Sequence, residues 1–221
     1  MDNRILTYIP FLLTLSVLQI LSITTIAQKA DSSKDSILYQ SQFDTEKEGP
    51  SINHGDTAIS KVEKGNFVMN IKKSNRFWTL HMSSPGGLTT QPEILEVKLK
   101  VAADSLPGVY GFSFNSQLMA NNTWDDFIFL LSTDKQFCIF SNKSEKGIPI
   151  SGWQPSFYVN STGYNLVRIE VRTGDLYQFY INDELVYQIK LQPLTLMFGA
   201  LYTDPHSILS VDFYKVAVFK K

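Results

Sequence analysis

A short polar segment around residue 124 combines the residue types that hold sugars in proteins. Residues 121–126 read NNTWDD, so one tryptophan stands among two Asn and two Asp residues. Sugar rings stack on exposed aromatic planes, while amide and carboxylate side chains hydrogen-bond the hydroxyl groups. The segment therefore predicts a glycan-binding loop with Trp124, Asn122 and Asp125 as contacts. The alternative is that Trp124 tucks under the loop and caps the fold.

Three more side chains are candidates for the same surface. Asn115 ends a predicted strand over residues 109–114 and is expected to face the same concave sheet. Trp78 and His81 lie in a second predicted strand, over residues 77–82. Core packing of Trp78 and a structural role for His81 are the alternatives to glycan binding.

A catalytic pair of carboxyl groups would indicate a glycosidase instead. Retaining glycosidases need two such groups about 5 Å apart, one acting on each side of the anomeric carbon. The acids that alternate along this chain are Asp44, Glu46 and Glu48, but the residues between them are polar, which indicates a solvated loop. Glu93 and Glu96 are three apart and fall on opposite faces of a strand. We therefore predict no catalytic residue.

Composition excludes several function classes. The chain has 221 residues and a formal net charge of −1, without a block of like charge. A nucleic-acid binder normally has a basic footprint, so we predict no nucleic-acid partner. The single cysteine, Cys138, and three scattered histidines exclude disulfide frameworks and cysteine-rich zinc modules. Cys138 stands in an apolar run, which predicts a buried and unreactive thiol.

The first 27 residues have the features of a secretory signal peptide. An apolar stretch over residues 9–26 follows Arg4, and Thr25 and Ala27 place small residues before a cleavage point. A retained membrane anchor is the alternative, although polar residues dilute the stretch. We expect cleavage, a flexible lead-in over residues 28–36, and an exported protein, secreted or periplasmic, without a stable membrane span.

The rest of the chain alternates with a period of two, which is typical of β-strands. Leu95, Val97 and Leu99 fall on one face of a segment whose other face carries Glu96 and Lys98. About a dozen such segments are separated by turn signals rich in Gly, Pro, Asn and Asp. Residues 127–131 are apolar on both faces and predict a central strand. Residues 37–221 are thus expected to form one all-β domain, a sandwich or jelly roll of antiparallel sheets.

The C-terminal third carries a more specific pattern. Trp153 precedes the strand NLVRIEV at 165–171, then a turn at Gly174, the hairpin LYQFYIN at 176–182 and a closing strand VDFYKV at 211–216. This arrangement resembles the concanavalin A-like lectin/glucanase superfamily, in its laminin-G-like branch of secreted bacterial proteins. The resemblance implies a jelly-roll sandwich and a structural position in the core for Trp153.

The same resemblance makes calcium a candidate cofactor. Many jelly rolls of this superfamily hold a structural calcium ion with an acid on the closing strand, and Asp212 matches that acid. Calcium takes six to eight oxygen ligands, of which the sequence names one. An exposed carboxylate on the strand is the alternative.

The function expected from these observations is non-catalytic recognition of a carbohydrate or glycoconjugate on a concave sheet. The superfamily also contains glycoside hydrolases and structural domains, so its fold does not fix the function. A hydrolase acting on a sugar substrate is the first alternative. A structural domain that binds a protein partner of the cell envelope is the second.

Overall fold

The computed structural model describes residues 35–45, 57–72, 78–81, 93–103, 108–118, 124–143, 146–192 and 200–219. Within these ranges the chain forms fifteen β-strands and no helix. The strands are β1 (Asp35–Ser41), β2 (Ala58–Glu63), β3 (Asn66–Ile71), β4 (Trp78–His81), β5 (Ile94–Ala103), β6 (Val109–Leu118), β7 (Trp124–Ser132), β8 (Gln136–Lys143), β9 (Lys146–Pro149), β10 (Gln154–Pro155), β11 (Asn165–Arg172), β12 (Leu176–Ile181), β13 (Glu184–Lys190), β14 (Ala200–Thr203) and β15 (Ser207–Phe219).

The strands form two sheets in which neighbours run antiparallel. The eight-stranded sheet has the order β13-β12-β11-β5-β15-β3-β2, with β1 also paired to β15. The seven-stranded sheet has the order β10-β8-β7-β6-β14-β4, with β9 also paired to β8. The predicted all-β sandwich of two antiparallel sheets is confirmed.

The hydrophobic core lies between the two sheets because each strand sends alternate side chains inward. On β5, Leu95, Val97 and Leu99 are core residues, as the alternation predicts. Aromatic rings join the sheets edge to face: the ring centroid of Phe179 on β12 lies 5.2 Å from that of Phe129 and 5.5 Å from that of Phe114. Such contacts stabilise the sandwich beyond the burial of area alone.

Residues 127–131 form the central strand that their composition predicts. They belong to β7, which lies between β6 and β8, and all five are buried. Ile128 and Leu130 turn away from the sandwich core, since Phe127, Phe129 and Leu131 occupy it. The outer face of the seven-stranded sheet is thus apolar at its centre.

The turn at residues 182–183 takes the left-handed backbone that its composition predicts. Asn182 and Asp183 join β12 to β13 with φ angles of 51° and 68°. Short polar side chains tolerate this region better than others do. An Asn-Asp pair therefore closes a hairpin that Asn-Gly more often closes.

Several boundaries differ from the prediction. Strand β1 begins at Asp35, so residues 35 and 36 belong to the sheet and not to a flexible lead-in. Strands β2, β9 and β10 were not predicted; β10 has two residues, one of them proline, too few to show alternation. The predicted signal peptide and residues 28–34 lie outside the described residues, and cleavage and export stay predictions. In the described ranges, no helix is long and apolar enough to cross a bilayer.

Candidate functional site

A carboxylate lies on the outer face of the seven-stranded sheet, near one end of β7. Asp126 alternates with the core residues Phe127 and Phe129, so its side chain turns away from the sandwich core. The residue is only 3% exposed. A carboxylate removed from water at this position requires hydrogen-bond partners.

Two neighbouring strands supply those partners. Asn142 on β8 stands directly opposite Asp126 in the sheet and donates from Nδ2 to Oδ1 at 3.0 Å. Tyr202 on β14 donates its hydroxyl to Oδ2 at 3.3 Å. Burial and the charge of Asp126 both raise the pKa of Tyr202, so its hydroxyl keeps its proton and remains a donor. The carboxylate is therefore held by one donor on each oxygen.

The outer face of the sheet beside this carboxylate is apolar and buried. Ile128, Leu130 and Cys138 lie on the same face and are buried. Burial raises the pKa of the Cys138 thiol, which keeps it protonated and a poor nucleophile. The prediction of a buried, unreactive cysteine agrees with this geometry.

Asp125 and Trp124 belong to a strand and not to the loop that their composition predicts. Both lie in β7, where Asp125 pairs with Gln117 and Trp124 with Leu118. The register between β6 and β7 shifts between Phe114 and Gln117, which is the signature of a bulge. Asp125 is half-buried beside this irregularity. Asn122 and the side chain of Trp124 lie outside the described residues.

Asn115 does not present its side chain to solvent as predicted. It is fully buried, has a φ of 53°, and donates from Nδ2 to the carbonyl oxygen of Gln192 at 3.4 Å. The left-handed backbone falls within the bulge of β6, where Asn tolerates it. In this structure the amide therefore has a structural hydrogen bond, and a glycan contact at Asn115 stays a prediction.

Trp78 and His81 lie at the edge of the seven-stranded sheet, away from Asp126. Both belong to β4, where Trp78 pairs with Thr203 and His81 with Ala200. Strand β4 is three strands from β7, or about 14 Å at the usual strand spacing. Their side chains are not described, so a glycan contact at either residue stays a prediction.

Asp212, the acid predicted to bind calcium, lies beside a lysine. Its Oδ2 forms an ion pair with Nζ of Lys98 at 2.6 Å, and both side chains are partly exposed. The described part of the chain holds no group of three or more His, Cys, Asp or Glu residues that could bind a metal, and a calcium ion held by Asp212 with backbone carbonyl oxygens stays a prediction. Asp212 is thus an ion-pair partner on the eight-stranded sheet.

Exposed aromatic residues lie beside the edge of the seven-stranded sheet, around β10. We call Trp153, Phe157 and Tyr158 the aromatic shelf; they are 42%, 95% and 47% exposed. The prediction that Trp153 belongs to the core is wrong. It follows Gly152, whose φ of 64° turns the chain at the edge of the sheet, and it precedes the two-residue strand β10.

The sequence analysis missed Asp126 and the aromatic shelf, although the sequence contains a signal for each. Asp126 follows Asp125 in the segment NNTWDD, and the core residues at 127, 129 and 131 put position 126 on the opposite face. The aromatic shelf lies in a run from residue 147 to residue 164 that contains no charged residue. Alternation along the strand was the signal for Asp126, and the absence of charged residues was the signal for the aromatic shelf.

Comparison with solved structures gives several likenesses of fold. A GlcNAcα1-4Gal-releasing endo-β-galactosidase from Clostridium perfringens matches with a TM-score of 0.58 and 15% identity, over 85% of this chain and 64% of that one. A structure of endo-acting O-glycanases from human gut microbiota, described as initiating mucin breakdown, has a TM-score of 0.58 and 15% identity, over 84% and 100% of the two chains. The laminarinase catalytic domain from Thermotoga maritima has a TM-score of 0.56 and 10% identity, over 85% and 100%. This chain thus spans just under two thirds of the galactosidase.

Neither a family model nor a curated protein matches the sequence. The structural comparison corrects the predicted non-catalytic function, because the similar structures are mostly named as hydrolases. The hydrolase alternative agrees with them better, while the laminin-G-like branch stays a prediction. The two antiparallel sheets and these likenesses show that the chain has the concanavalin A-like jelly-roll fold.

Proposed function

We propose that this protein is a glycoside hydrolase-like enzyme that acts on a carbohydrate at the outer face of the seven-stranded sheet. The observation that carries the proposal is Asp126, a carboxylate on that face held on both oxygens by Asn142 and Tyr202. The names of the structures with similar folds, among them endo-glucanases and an endo-galactosidase, support a carbohydrate substrate.

The proposed reaction is hydrolysis of a glycosidic bond. The bond between the anomeric carbon and the leaving oxygen breaks, water supplies the hydroxyl group, and the leaving oxygen takes up a proton. A fixed carboxylate stabilises the positive charge that develops at the anomeric carbon. The donors on Asp126 orient it for this role without reorganisation during the reaction.

We propose Asp125 as the second carboxyl group. Successive residues of a regular strand point to opposite faces, but the register shift opposite this position interrupts the regular ladder. The extra residue lies in β6, on the strand that faces Asp125, and bulges are frequent beside active sites. Asp125 is half-buried next to this shift, and the role proposed for it is that of proton donor to the leaving oxygen.

The test is release of reducing ends by the full chain from laminarin, galactan and mucin O-glycans, with products identified by mass spectrometry. Asp126→Asn keeps the shape of the side chain and removes its negative charge. We expect at least a roughly hundredfold loss of activity, in the range of contributions from positioned acid–base groups. Asp125→Asn is expected to cause a loss of similar size.

Asp134→Asn is the matched control, since Asp134 is an exposed acid in the turn between β7 and β8. Its activity should equal that of the wild type. A folded wild type that releases nothing from any of these glycans, or an Asp126→Asn variant with full activity, would refute the proposal.

A further inference from the structure

The aromatic shelf exposes more apolar surface than the stability of the fold explains. Phe157 is 95% exposed, so its ring contributes almost nothing to the core, and Trp153 and Tyr158 are each more than two fifths exposed. Single exposed apolar residues are common in proteins, whereas several together mark an interaction site. Three exposed aromatic side chains within six consecutive residues meet this description in the sequence.

The backbone beneath the shelf is firmly held. Ser156 donates its N–H to the carbonyl oxygen of Lys135 at 2.8 Å, and Asn182 donates from Nδ2 to the carbonyl oxygen of Tyr158 at 2.7 Å. Val159, next in the chain, is buried in the core. The rings are therefore presented on an ordered support, which lowers the entropic cost of binding a ligand.

The segment that carries the shelf is uncharged, and the turn bonded to it adds one exposed charge of each sign, at Asp134 and Lys135. Residues 147–164 contain no Asp, Glu, Lys or Arg, and they include the amide side chains of Gln154 and Asn160. An anionic membrane or nucleic acid requires basic residues, which this run lacks. Exposed aromatic planes in an uncharged segment match the apolar faces of a neutral sugar.

The shelf also lies on the same sheet as the proposed reaction centre. Gln154 pairs with Phe137 on β8, and Asn142 on that strand pairs with Asp126. Gln154 and Asp126 are thus five residues apart along the strands and two strands apart across the sheet, which gives a separation of about 20 Å. A ligand that reaches both places must be a chain of several sugar units.

We propose that the aromatic shelf is a binding site for an uncharged polysaccharide chain, separate from Asp126 and extending the substrate site along the sheet edge. The inference rests on the proposed function for its carbohydrate ligand. It narrows the substrate class to neutral polymers longer than a few sugar units.

The test measures binding of the full chain, as the non-hydrolysing Asp126→Asn variant, to laminarin and galactan by affinity electrophoresis, with sulfated carrageenan as the charged comparison. Phe157→Ala should weaken binding to at least one neutral polymer about tenfold, which corresponds to about 1.4 kcal/mol. Phe157→Trp should retain it. Because Phe157 is almost fully exposed, neither change should alter the melting temperature Tm.

Ile37→Ala is the control, since Ile37 is an exposed apolar residue (58%) on the other sheet, and its binding should match the parent's. Failure to bind either neutral polymer, preference for carrageenan, or unchanged binding by Phe157→Ala would each overturn the proposal. A dimer that sedimentation detects in the parent and not in Phe157→Ala would also overturn the proposal, because the shelf would then be an interface between two copies of the chain. Binding without any hydrolysis by the wild type would refute the proposed function while leaving the shelf intact.

Discussion

At the scale of single residues, the core contains two tyrosines with opposite hydrogen-bond status. Tyr110 accepts a hydrogen bond on its hydroxyl from Nδ2 of Asn165 at 2.7 Å. Tyr177 is equally buried, but its hydroxyl has no partner among the described residues. An unsatisfied buried hydroxyl costs free energy that a satisfied one does not.

Removing each hydroxyl should therefore have opposite effects on stability. Tyr177→Phe should leave the free energy of unfolding unchanged or raise it by about 1 kcal/mol, while Tyr110→Phe should lower it by about 1 kcal/mol. Urea unfolding at pH 7 measures both changes. A larger loss for Tyr177→Phe than for Tyr110→Phe would contradict the assignment.

The same comparison has a pH dependence. Burial, with the nearby charge of Asp175, raises the pKa of Tyr177 from 10.0 to about 12. The folded state holds the Tyr177 proton more tightly than the unfolded state does. The contribution of the protonated hydroxyl to the free energy of unfolding is therefore complete below pH 10 and is lost as the pH rises towards 12. Tyr177→Phe lacks this group and should lose less stability than the wild type over that interval.

At the scale of elements, the contact between β6 and β7 depends on a residue without a side chain. A Cβ atom at Gly111 would collide with the carbonyl oxygen of Phe129, a backbone atom that cannot move alone. Gly111 stands in the row of paired residues that joins Tyr202 on β14 to Leu130 on β7. The close approach of these strands therefore requires glycine.

Gly111→Ala should lower the free energy of unfolding by about 1–3 kcal/mol, as expected for overpacking. Gly147→Ala on β9 is the matched control, because its Cβ would meet nothing within 4 Å. Thermal unfolding of both variants measures the difference. Equal Tm values would show that β6 and β7 separate without cost.

At the scale of the whole molecule, a buried ionic network ties distant parts of the chain together. Arg168 on β11 is 2% exposed and forms ion pairs with Glu96 on β5 at 2.8 Å, with Glu170 at 2.7 Å and with Asp35 on β1 at 3.4 Å. Lys215 on β15 also contacts Glu96 and Asp35, each at 3.2 Å. Arg172 also pairs with Glu170, so three cations and three carboxylates on four strands of the eight-stranded sheet form one network.

Arg168→Met should destabilise the fold by about 3–5 kcal/mol, since it leaves buried carboxylates without their main partner. The surface pair between Lys61 and Glu63 provides the control. Lys61→Ala should leave Tm unchanged, because an exposed ion pair contributes little. A small effect of Arg168→Met on denaturant unfolding would show that the remaining cations neutralise the cluster.

The sequence alone determined the fold class. Burial between two sheets requires apolar and polar residues to alternate along each strand, and this alternation can be read from neighbouring residues in the sequence. Leu95, Val97 and Leu99 showed the core face of β5, and the apolar run at 127–131 showed a central strand. The turn at Asn182 and Asp183 was equally local. Each of these depends on neighbours in the chain.

Only the tertiary structure decided which polar residues meet. Asp126 acquires its role from Asn142 and Tyr202, which are 16 and 76 residues away, and the bulge in β6 buries Asn115 instead of exposing it. Arg168 forms an ion pair with Asp35, which is 133 residues away in the sequence. Such contacts depend on strand order and register between remote segments, whereas alternation reports only on which side of its own strand a residue falls.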